Sequence, residues 1–516
     1  MSTPLPNNAS RNPLYHLVDH HKSAHPNATY LLSPRSARVV NYAQMKTIAD
    51  DWTEVVRNSL VPRGARVGLV IGDPIDFATT FVALLSAGLW VAPLDPNVTS
   101  SNVAQLRSRV QELRLSHVVS DRPAPFDGDV SWLEGIAGAR RNEMSESFAL
   151  NDNGGGVLLA SSGTTGTPKI MALSLDQLLL TAISVSRHNG LDETDRGFSP
   201  LPLWHINAEV VGLLATLIAG SSLALDDRFH RTDFWMLIDQ LGVTWINAVP
   251  AIIARLTVLR DGESVARGVR FMRSASAPLA PALLSQFEAA TGIMVVESYG
   301  MTEAASQICA NPLDGSRKVG SVGRAVGVEL RVVPIDGSAI KLPHAPHPIG
   351  DVEIKGPAVI TRYEAEGYED RFDDEGWLRT GDLGYLDSDG FLFLVGRSDD
   401  VINRGGEKIF PREIEELVLG LRRVVSAAVV GKPDEVFGQV PELYVQIHGV
   451  SASTAPEEIK IATKEIHDAL VSVLSRVRRP AAINVVERLP AHATGKIQKK
   501  NITDDGVTIL YRVTVS

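Results

Sequence analysis

The nine residues Ser161-Ser162-Gly163-Thr164-Thr165-Gly166-Thr167-Pro168-Lys169 carry five hydroxyls, two glycines and one lysine. Hydroxyls and free backbone amides donate to anionic oxygens, glycines let the backbone approach a ligand, and a lysine adds positive charge. Together they suit a polyphosphate. The run before them, Gly156-Val157-Leu158-Leu159-Ala160, reads as a buried strand, so the stretch is a strand-ending loop. It is not the common P-loop, which needs Gly-x-x-x-x-Gly-Lys-Ser/Thr and a helix opening at once. Here Pro168 precedes Lys169, and the next helix is expected to open at Ser174, with Gln177 completing a capping box.

Five further stretches carry residue types with chemistry to offer. Ser274-Ala275-Ser276-Ala277-Pro278-Leu279 is a strand-end loop. Glu297-Ser298-Tyr299-Gly300-Met301-Thr302-Glu303 combines an aromatic ring that can stack on a base, a hydroxyl that can reach a phosphate, and a carboxylate that can hold Mg²⁺ between phosphates. Trp377 to Gly384 contains Asp382, an acceptor-only group suited to a sugar diol. Gly396 to Ile409 is charged and glycine-rich, and Leu489 to Lys500 places Lys496 on a glycine-led loop. Lys499 and Lys500 read as a basic surface turn.

In this order and over nearly the whole chain, the six stretches resemble the acyl-adenylate-forming (AMP-binding) superfamily: acyl-CoA synthetases, stand-alone adenylation enzymes, amide bond synthetases and luciferases. The resemblance implies ATP and Mg²⁺ as cofactors. Thr164, Thr165 and Lys169 would hold the β- and γ-phosphates, Tyr299 the adenine, Thr302 the α-phosphate, and Glu303 the metal. The backbone of Ser276, Ala277 and Pro278 would line the adenine and acyl sites. Asp382 would accept from both ribose hydroxyls, and Arg397 would contact the nucleotide. Lys496 would bridge the substrate carboxylate and the α-phosphate as charge builds. Asp399 matches the hinge about which the C-terminal domain swings, and Gly405 and Gly406 would let an acceptor pass close to backbone.

The implied reaction has two halves: a carboxylate displaces pyrophosphate from ATP, then an acceptor attacks the acyl-adenylate. His205, behind Trp204, matches an aromatic-His gate at the acyl pocket. Phe271 to Pro312 resembles oxalyl-CoA synthetases, but Asn207 and Ser306 stand where those carry histidine. A monocarboxylic acid, aryl or heteroaryl included, is therefore expected, with Gly300, Ala304 and Ser306 leaving room for a flat ring. The expected acceptor is the CoA thiol. Gly438-Gln439-Val440-Pro441-Glu442 and Val477-Arg478-Arg479-Pro480 deviate from common CoA-ligase patterns, which keeps a small amine or a carrier protein as alternatives. A catalytically silent nucleotide-binding homologue is a further alternative, and Lys169, Glu303, Asp382 and Lys496 argue against it.

The elements that must position these loops are legible from hydrophobic periodicity. Arg66 to Gly72 and Leu89 to Pro93 read as buried strands around the apolar helix Asp76 to Ala87, a βαβ unit and hence a parallel sheet. A helix over 41–60, a further helix and strand over 103–119 and a loop over 121–129 complete that region. Helices over 175–186 and 210–219, and strands over 244–250 and 270–275, continue the alternation to about residue 310. From Gly320 short alternating strands predict a small antiparallel sheet. The polar break at 396–400 divides residues 1–395, the adenylation domain, from residues 396–516, a mobile α+β domain. There, Ile414, Leu417, Val418 and Leu421 share one helix face, and Ile459, Ala462, Ile466, Leu470 and Val473 line a second helix that Pro480 ends.

With 516 residues the chain exceeds one core, and 44% hydrophobic with 21% charged residues is ordinary for a globular protein. A formal net charge of -10 argues against a broad nucleic-acid surface. One cysteine, Cys309, excludes an internal disulfide and reads as a packing residue. Residues 1–15 are polar, without a secretory apolar region, and no apolar run reaches a membrane span, so a cytoplasmic enzyme is expected. Nothing in the sequence sets an oligomeric state.

Overall fold

The computed structural model describes residues 12–59, 61–97, 103–122, 131–134, 155–161, 169–335, 347–491, 496–503 and 506–515. Two sheets form the N-terminal part. One has the strand order Ser131–Glu134, His117–Ser120, Arg66–Val70, Trp90–Pro93, Gly156–Ser161, Lys169–Ser174. Its first five strands are parallel, and the last folds back antiparallel, pairing Ser161 with Lys169. The second sheet has nine strands. Its middle is parallel and runs from Met294–Tyr299 through Phe271–Ser274, Trp245–Ala248, Arg196–Ser199 and Ser222–Leu225 to Thr29–Ser33. The helix Pro74–Ser86 buries every residue from Phe77 on, as an all-round apolar helix must. It shares one core with residues of both sheets, among them Leu69, Val157, Phe198 and Met272.

Several local expectations hold. The helix Leu175–His188 opens on the foreseen capping box, Gln177 N donating to Ser174 Oγ at 3.3 Å and Ser174 N to Gln177 Oε1 at 2.9 Å. The small antiparallel sheet is Glu329–Pro334, Gly350–Lys355, Leu378–Leu386, Leu392–Arg397. Cys309 is fully buried, and burial pushes its thiol pKa up, as for an inert packing residue. The apolar helix over 210–219 is instead two elements, a π-helical stretch Asn207–Leu214 followed by α-helix Ala215–Ala219. All eight residues of the π stretch are buried.

The C-terminal part is a six-stranded mixed sheet covered by helices Pro411–Leu419 and Pro456–Val473, with its own core around Ile414, Val418, Leu443 and Ile466. The second helix ends at Val473, seven residues before Pro480. Leu474 leaves the helical region at φ -92 and ψ 137. Arg479 then satisfies the freed carbonyls, its Nε donating to Leu474 O at 3.1 Å and its Nη2 to Val471 O at 3.2 Å. Val473, expected on the buried face, is 54% exposed, and Leu474 at 5% takes the core position one residue later.

Candidate active site

A cleft of about 2550 Å³ is lined by Lys169, His205, Ser276, Ala277, Pro278, Tyr299, Thr302, Glu303, Asp382, Arg397 and Lys496. The described nucleotide, metal and catalytic candidates are thus brought to one cavity, whereas Ala304, Gly405 and Gly406 are not among the residues that line it. Thr164 and Thr165 lie outside the described residues, as do His492 to Gly495 and the 121–129 loop from residue 123 on.

The nucleotide side is set by strand ends. Tyr299 closes the strand Met294–Tyr299, and its hydroxyl donates to Asp382 Oδ2 at 2.5 Å. Burial, and then the neighbouring Asp382 charge, push the Tyr299 pKa well up, so it stays a neutral donor. Asp382 lies in register with Arg397 on the adjacent strand, and Arg397 Nη1 sits 3.9 Å from Asp382 Oδ1. Between them Gly381 has φ +79, and a Cβ there would meet Arg397 Nη2 at 3.1 Å and Arg371 Nη2 at 3.3 Å. Glycine lets two guanidinium groups crowd one turn.

Glu303 is 7% exposed and accepts a hydrogen bond from Tyr363 Oη at 2.8 Å on Oε1. Lys169 Nζ lies 5.5 Å from the Tyr363 ring centre and 5.2 Å from that of Tyr368. The segment carrying both tyrosines is docked by backbone: Ile360 N donates to Glu303 O and Glu364 N to Ile170 O, both at 2.9 Å. Burial, then Arg371, hold the Lys169 pKa below the usual lysine range, and Glu303 pulls the other way. Such a crowd of cations around one carboxylate suits a polyphosphate with a divalent metal. One oxygen of Glu303 is committed to Tyr363, and the donor set therefore fits a Mg²⁺ that takes a single protein carboxylate plus phosphate oxygens.

Residues 18–364 match the AMP-binding enzyme family, and residues 413–496 match the AMP-binding enzyme C-terminal domain. The chain belongs to the AMP-binding enzyme family. It is 33% identical over 501 residues to the sulfoacetate–CoA ligase of Cupriavidus necator, covering 92% of this chain and 94% of the relative. Against the oxalate–CoA ligase of Arabidopsis thaliana it is 31% identical over 477 residues, covering 87% and 90%. Among solved structures, the o-succinylbenzoate CoA synthetase of Bacillus subtilis with its acyl-adenylate intermediate superposes with TM-score 0.79 at 26% identity, covering 95% of this chain and 98% of that one. ATP-bound MatB of Rhodopseudomonas palustris gives TM-score 0.81 at 26% identity, with coverage of 94% and 97%.

In this AMP-binding enzyme the C-terminal part, the outer lobe, carries Lys496 beside a β-bridge. Ala491 bridges Ile497, Gln498 N donates to Pro490 O at 2.8 Å, and Ile497 packs with Leu489, Ile502 and Val507. Lys499 is no free surface lysine: its Nζ lies 2.7 Å from Glu415 Oε1 and 3.8 Å from Asp400 Oδ2, tying the loop to the helix Pro411–Leu419. Lys496 keeps solvent-exposed surface at the cleft. Desolvation by the cleft walls, then Arg397, still hold its pKa below the usual lysine range, while Asp382, Asp400 and Glu303 act in the opposite sense.

The two segments that deviate from common CoA-ligase patterns meet at one place. Arg404 Nη1 donates to Val477 O at 2.8 Å and Arg479 O at 3.0 Å, and Asn403 N donates to Gln439 Oε1 at 3.1 Å. Both segments therefore buttress the Gly405-Gly406 turn.

At the acyl end, Trp204 and His205 line the cleft with ring centres 6.2 Å apart. Two expectations need correction. Gly300 opens no space for a ring, because a Cβ there would meet Ser306 O at 1.4 Å: backbone fills that volume. Ala304 is fully buried in the protein core instead of facing the cleft. The short turn Thr302–Ala304 has Met301 at its cap position and no side-chain cap bond.

Three side chains here escaped sequence reasoning. Tyr363 holds Glu303, and Arg371 lines the cleft with a buried Nε that has no partner among the described residues. Both sit in the turn-rich run 356–377, where no periodicity marks them. The third is Arg273, 1% exposed on the strand Phe271–Ser274, whose pKa burial pushes down to about 9. An arginine inside an apolar strand, Phe271-Met272-Arg273-Ser274, was the available signal.

Proposed function

We propose that this enzyme joins a carboxylic acid to CoA through an acyl-adenylate, consuming ATP and releasing pyrophosphate and AMP. The observation that carries the reading is the convergence of Lys169, Glu303, Asp382, Arg397 and Lys496 on one cleft. The printed activities of the relatives, CoA ligases for sulfoacetate and oxalate, support CoA as the acceptor.

The residues divide the work. Asp382 receives the ribose hydroxyls, with Tyr299 and Arg397 fixing its carboxylate. Lys169 and Arg371 neutralise phosphate charge, and Thr164 and Thr165 donate to the same phosphates. Glu303 would hold a Mg²⁺, which would supply charge neutralisation at the phosphates. Thr302 donates to the α-phosphate, and the Ser276-Ala277-Pro278 backbone and His205 border the acid. Lys496 places one ammonium between the acid's carboxylate and the α-phosphate, where charge develops during in-line attack. Carboxylate oxygen then bonds to the α-phosphorus as the bond to pyrophosphate breaks. In the second half the CoA sulfur bonds to the acyl carbon and AMP leaves with the anhydride oxygen.

We propose further that 396–400 separates two lobes and that Asp399 is the pivot. On this proposal the arrangement in which Lys496, Asp382 and Glu303 line one cleft belongs to the first half-reaction. The Gly405-Gly406 turn serves the thiol in the second. Incubation with ATP, Mg²⁺, CoA and a panel of acids, read by ATP–pyrophosphate exchange and by mass, tests the reading. An acyl-CoA product with AMP is expected. Exchange with no acid, or exchange with acyl transfer to amines but never to CoA, would overturn it.

A further inference from the structure

The floor of the cleft holds a cation without an anion. Arg273 lines the cleft although only 1% of it is exposed. Its strand pairs it with Asn247. Arg273 Nη2 donates to Gln307 Oε1 at 3.0 Å, Arg273 Nη1 makes a long contact to Asn247 Oδ1 at 3.5 Å, and Asn247 Nδ2 donates to Asn207 Oδ1 at 2.8 Å. All of these partners are neutral amides. Among the described residues no carboxylate forms an ion pair with Arg273, its Nε has no acceptor, and Gln307 Nε2 is likewise buried without one.

A buried charge is normally paired, because desolvation is otherwise uncompensated. Here the penalty is carried by a residue on the floor of the cleft, whose lining also includes His205, Asn207 and Ser306. Even with its pKa lowered to about 9, the guanidinium is mostly charged at neutral pH. A buried cation without an ion-pair partner among the described residues, with its Nε and the Nε2 of its partner Gln307 both unused, has one natural complement: an oxyanion.

We infer that the Arg273 guanidinium, framed by Asn207, Asn247 and Gln307, receives a second anionic group of the acid, so that the acyl pocket selects carboxylic acids bearing a further carboxylate or sulfonate. The inference rests on the reading of the cleft as an acid-activating site. The expectation of a monocarboxylic acid weighed only Asn207 and Ser306, the two positions without histidine, and left Arg273 out. Asn207 does not replace a cation here; it orients the amide that Arg273 contacts. Oxalate and sulfoacetate, for which two relatives are named, both carry a second anion.

The test compares matched acids that differ only in that charge: malonate with malonamate, succinate with succinamate, sulfoacetate with methylsulfonylacetate. ATP–pyrophosphate exchange gives kcat/KM for each, and calorimetry in the presence of AMP gives binding without turnover. The dianion of at least one pair is expected to be favoured roughly 10- to 100-fold. Arg273→Met should erase that ratio while ATP affinity is kept, and Arg273→Lys should keep part of it, the change falling on the KM for the acid. Asn207→Asp supplies an internal carboxylate close to the guanidinium network and should weaken the dianion alone, which serves if the Arg273 variants do not fold. Preference for the neutral member of every pair, or a ratio unchanged in Arg273→Met, overturns the inference and leaves acid activation standing. Dianion binding that is lost in Arg273→Met, without exchange by any acid, keeps the inference and removes the ligase reading. Neither binding nor exchange removes both.

Discussion

The nucleotide wall and the acyl floor of this cleft use the same kinds of polar side chain and satisfy them differently. On the wall, Tyr299 holds Asp382, Tyr363 holds Glu303, and Thr380 Oγ1 donates to Val352 O at 2.8 Å while accepting from Asp382 N at 3.1 Å. These groups are in place before any ligand arrives. On the floor, Arg273 keeps a buried Nε without an acceptor among the described residues, as does the Nε2 of its hydrogen-bond partner Gln307. A wall that meets the same nucleotide in every turnover can be preorganised by the protein's own hydrogen bonds. A floor that must distinguish one acid from another gains selectivity by leaving donors for the acid to satisfy, since the wrong acid then strands them.

Breaking the wall should cost most. Glu303→Ala removes a buried carboxylate beside Lys169 and Arg371, and exchange should fall on the order of 100- to 1000-fold; a loss under tenfold would remove Glu303 from the metal site. Asp382→Asn keeps the shape and halves the acceptor capacity toward the ribose, so the KM for ATP should rise roughly 10- to 100-fold with kcat less affected. Tyr363→Phe leaves Glu303 present but untethered. A smaller loss is expected, about three- to tenfold, together with a higher Mg²⁺ requirement; an unchanged Mg²⁺ dependence would show that Tyr363 does not position the carboxylate.

The same comparison explains what the sequence made legible. Loops with fixed residue order at strand ends, such as Glu297 to Glu303 and Trp377 to Gly384, stand out because chemistry and backbone geometry constrain them together. The strands behind them are readable from apolar runs, and the capping box at Ser174 and Gln177 from type and spacing alone. What was not readable depends on long-range contact. Tyr363 reaches Glu303 only because backbone bonds from Ile360 and Glu364 dock the run 356–377. Gly300 looks like spare room in one dimension, and the chain itself fills that room with Ser306. Pro480 looks like a helix stop, but the helix Pro456–Val473 ends where Leu474 can drop into the core.

Where wall and outer lobe meet, Glu297 gives the smallest and most local effect. Burial raises its pKa from the ordinary 4.5 to about 7, while Arg412 of the outer lobe pulls it back down. The folded state therefore binds this proton more tightly than the unfolded chain. That stabilising term is complete below pH 4.5 and is lost as pH rises toward 7. Glu297→Gln has no such proton, so its stability relative to wild type should improve across that window, by about 3 kcal/mol. Denaturant unfolding at pH 4.5 and 7.5 reads the difference, and a constant offset between the two would contradict the buried, protonated state.

Lys496 stands apart from both wall and floor, on a loop anchored by Lys499 to the outer lobe and joined to the nucleotide groups only through the shared cleft. The most direct measurement follows each half-reaction separately in Lys496→Ala. Acyl-adenylate formation, read by ATP–pyrophosphate exchange, should be lost, while CoA thiolysis of chemically prepared acyl-adenylate should stay near the wild-type rate. Equal loss of the two rates would contradict the assignment of Lys496 to adenylation alone, and with it the two-lobe account of this enzyme.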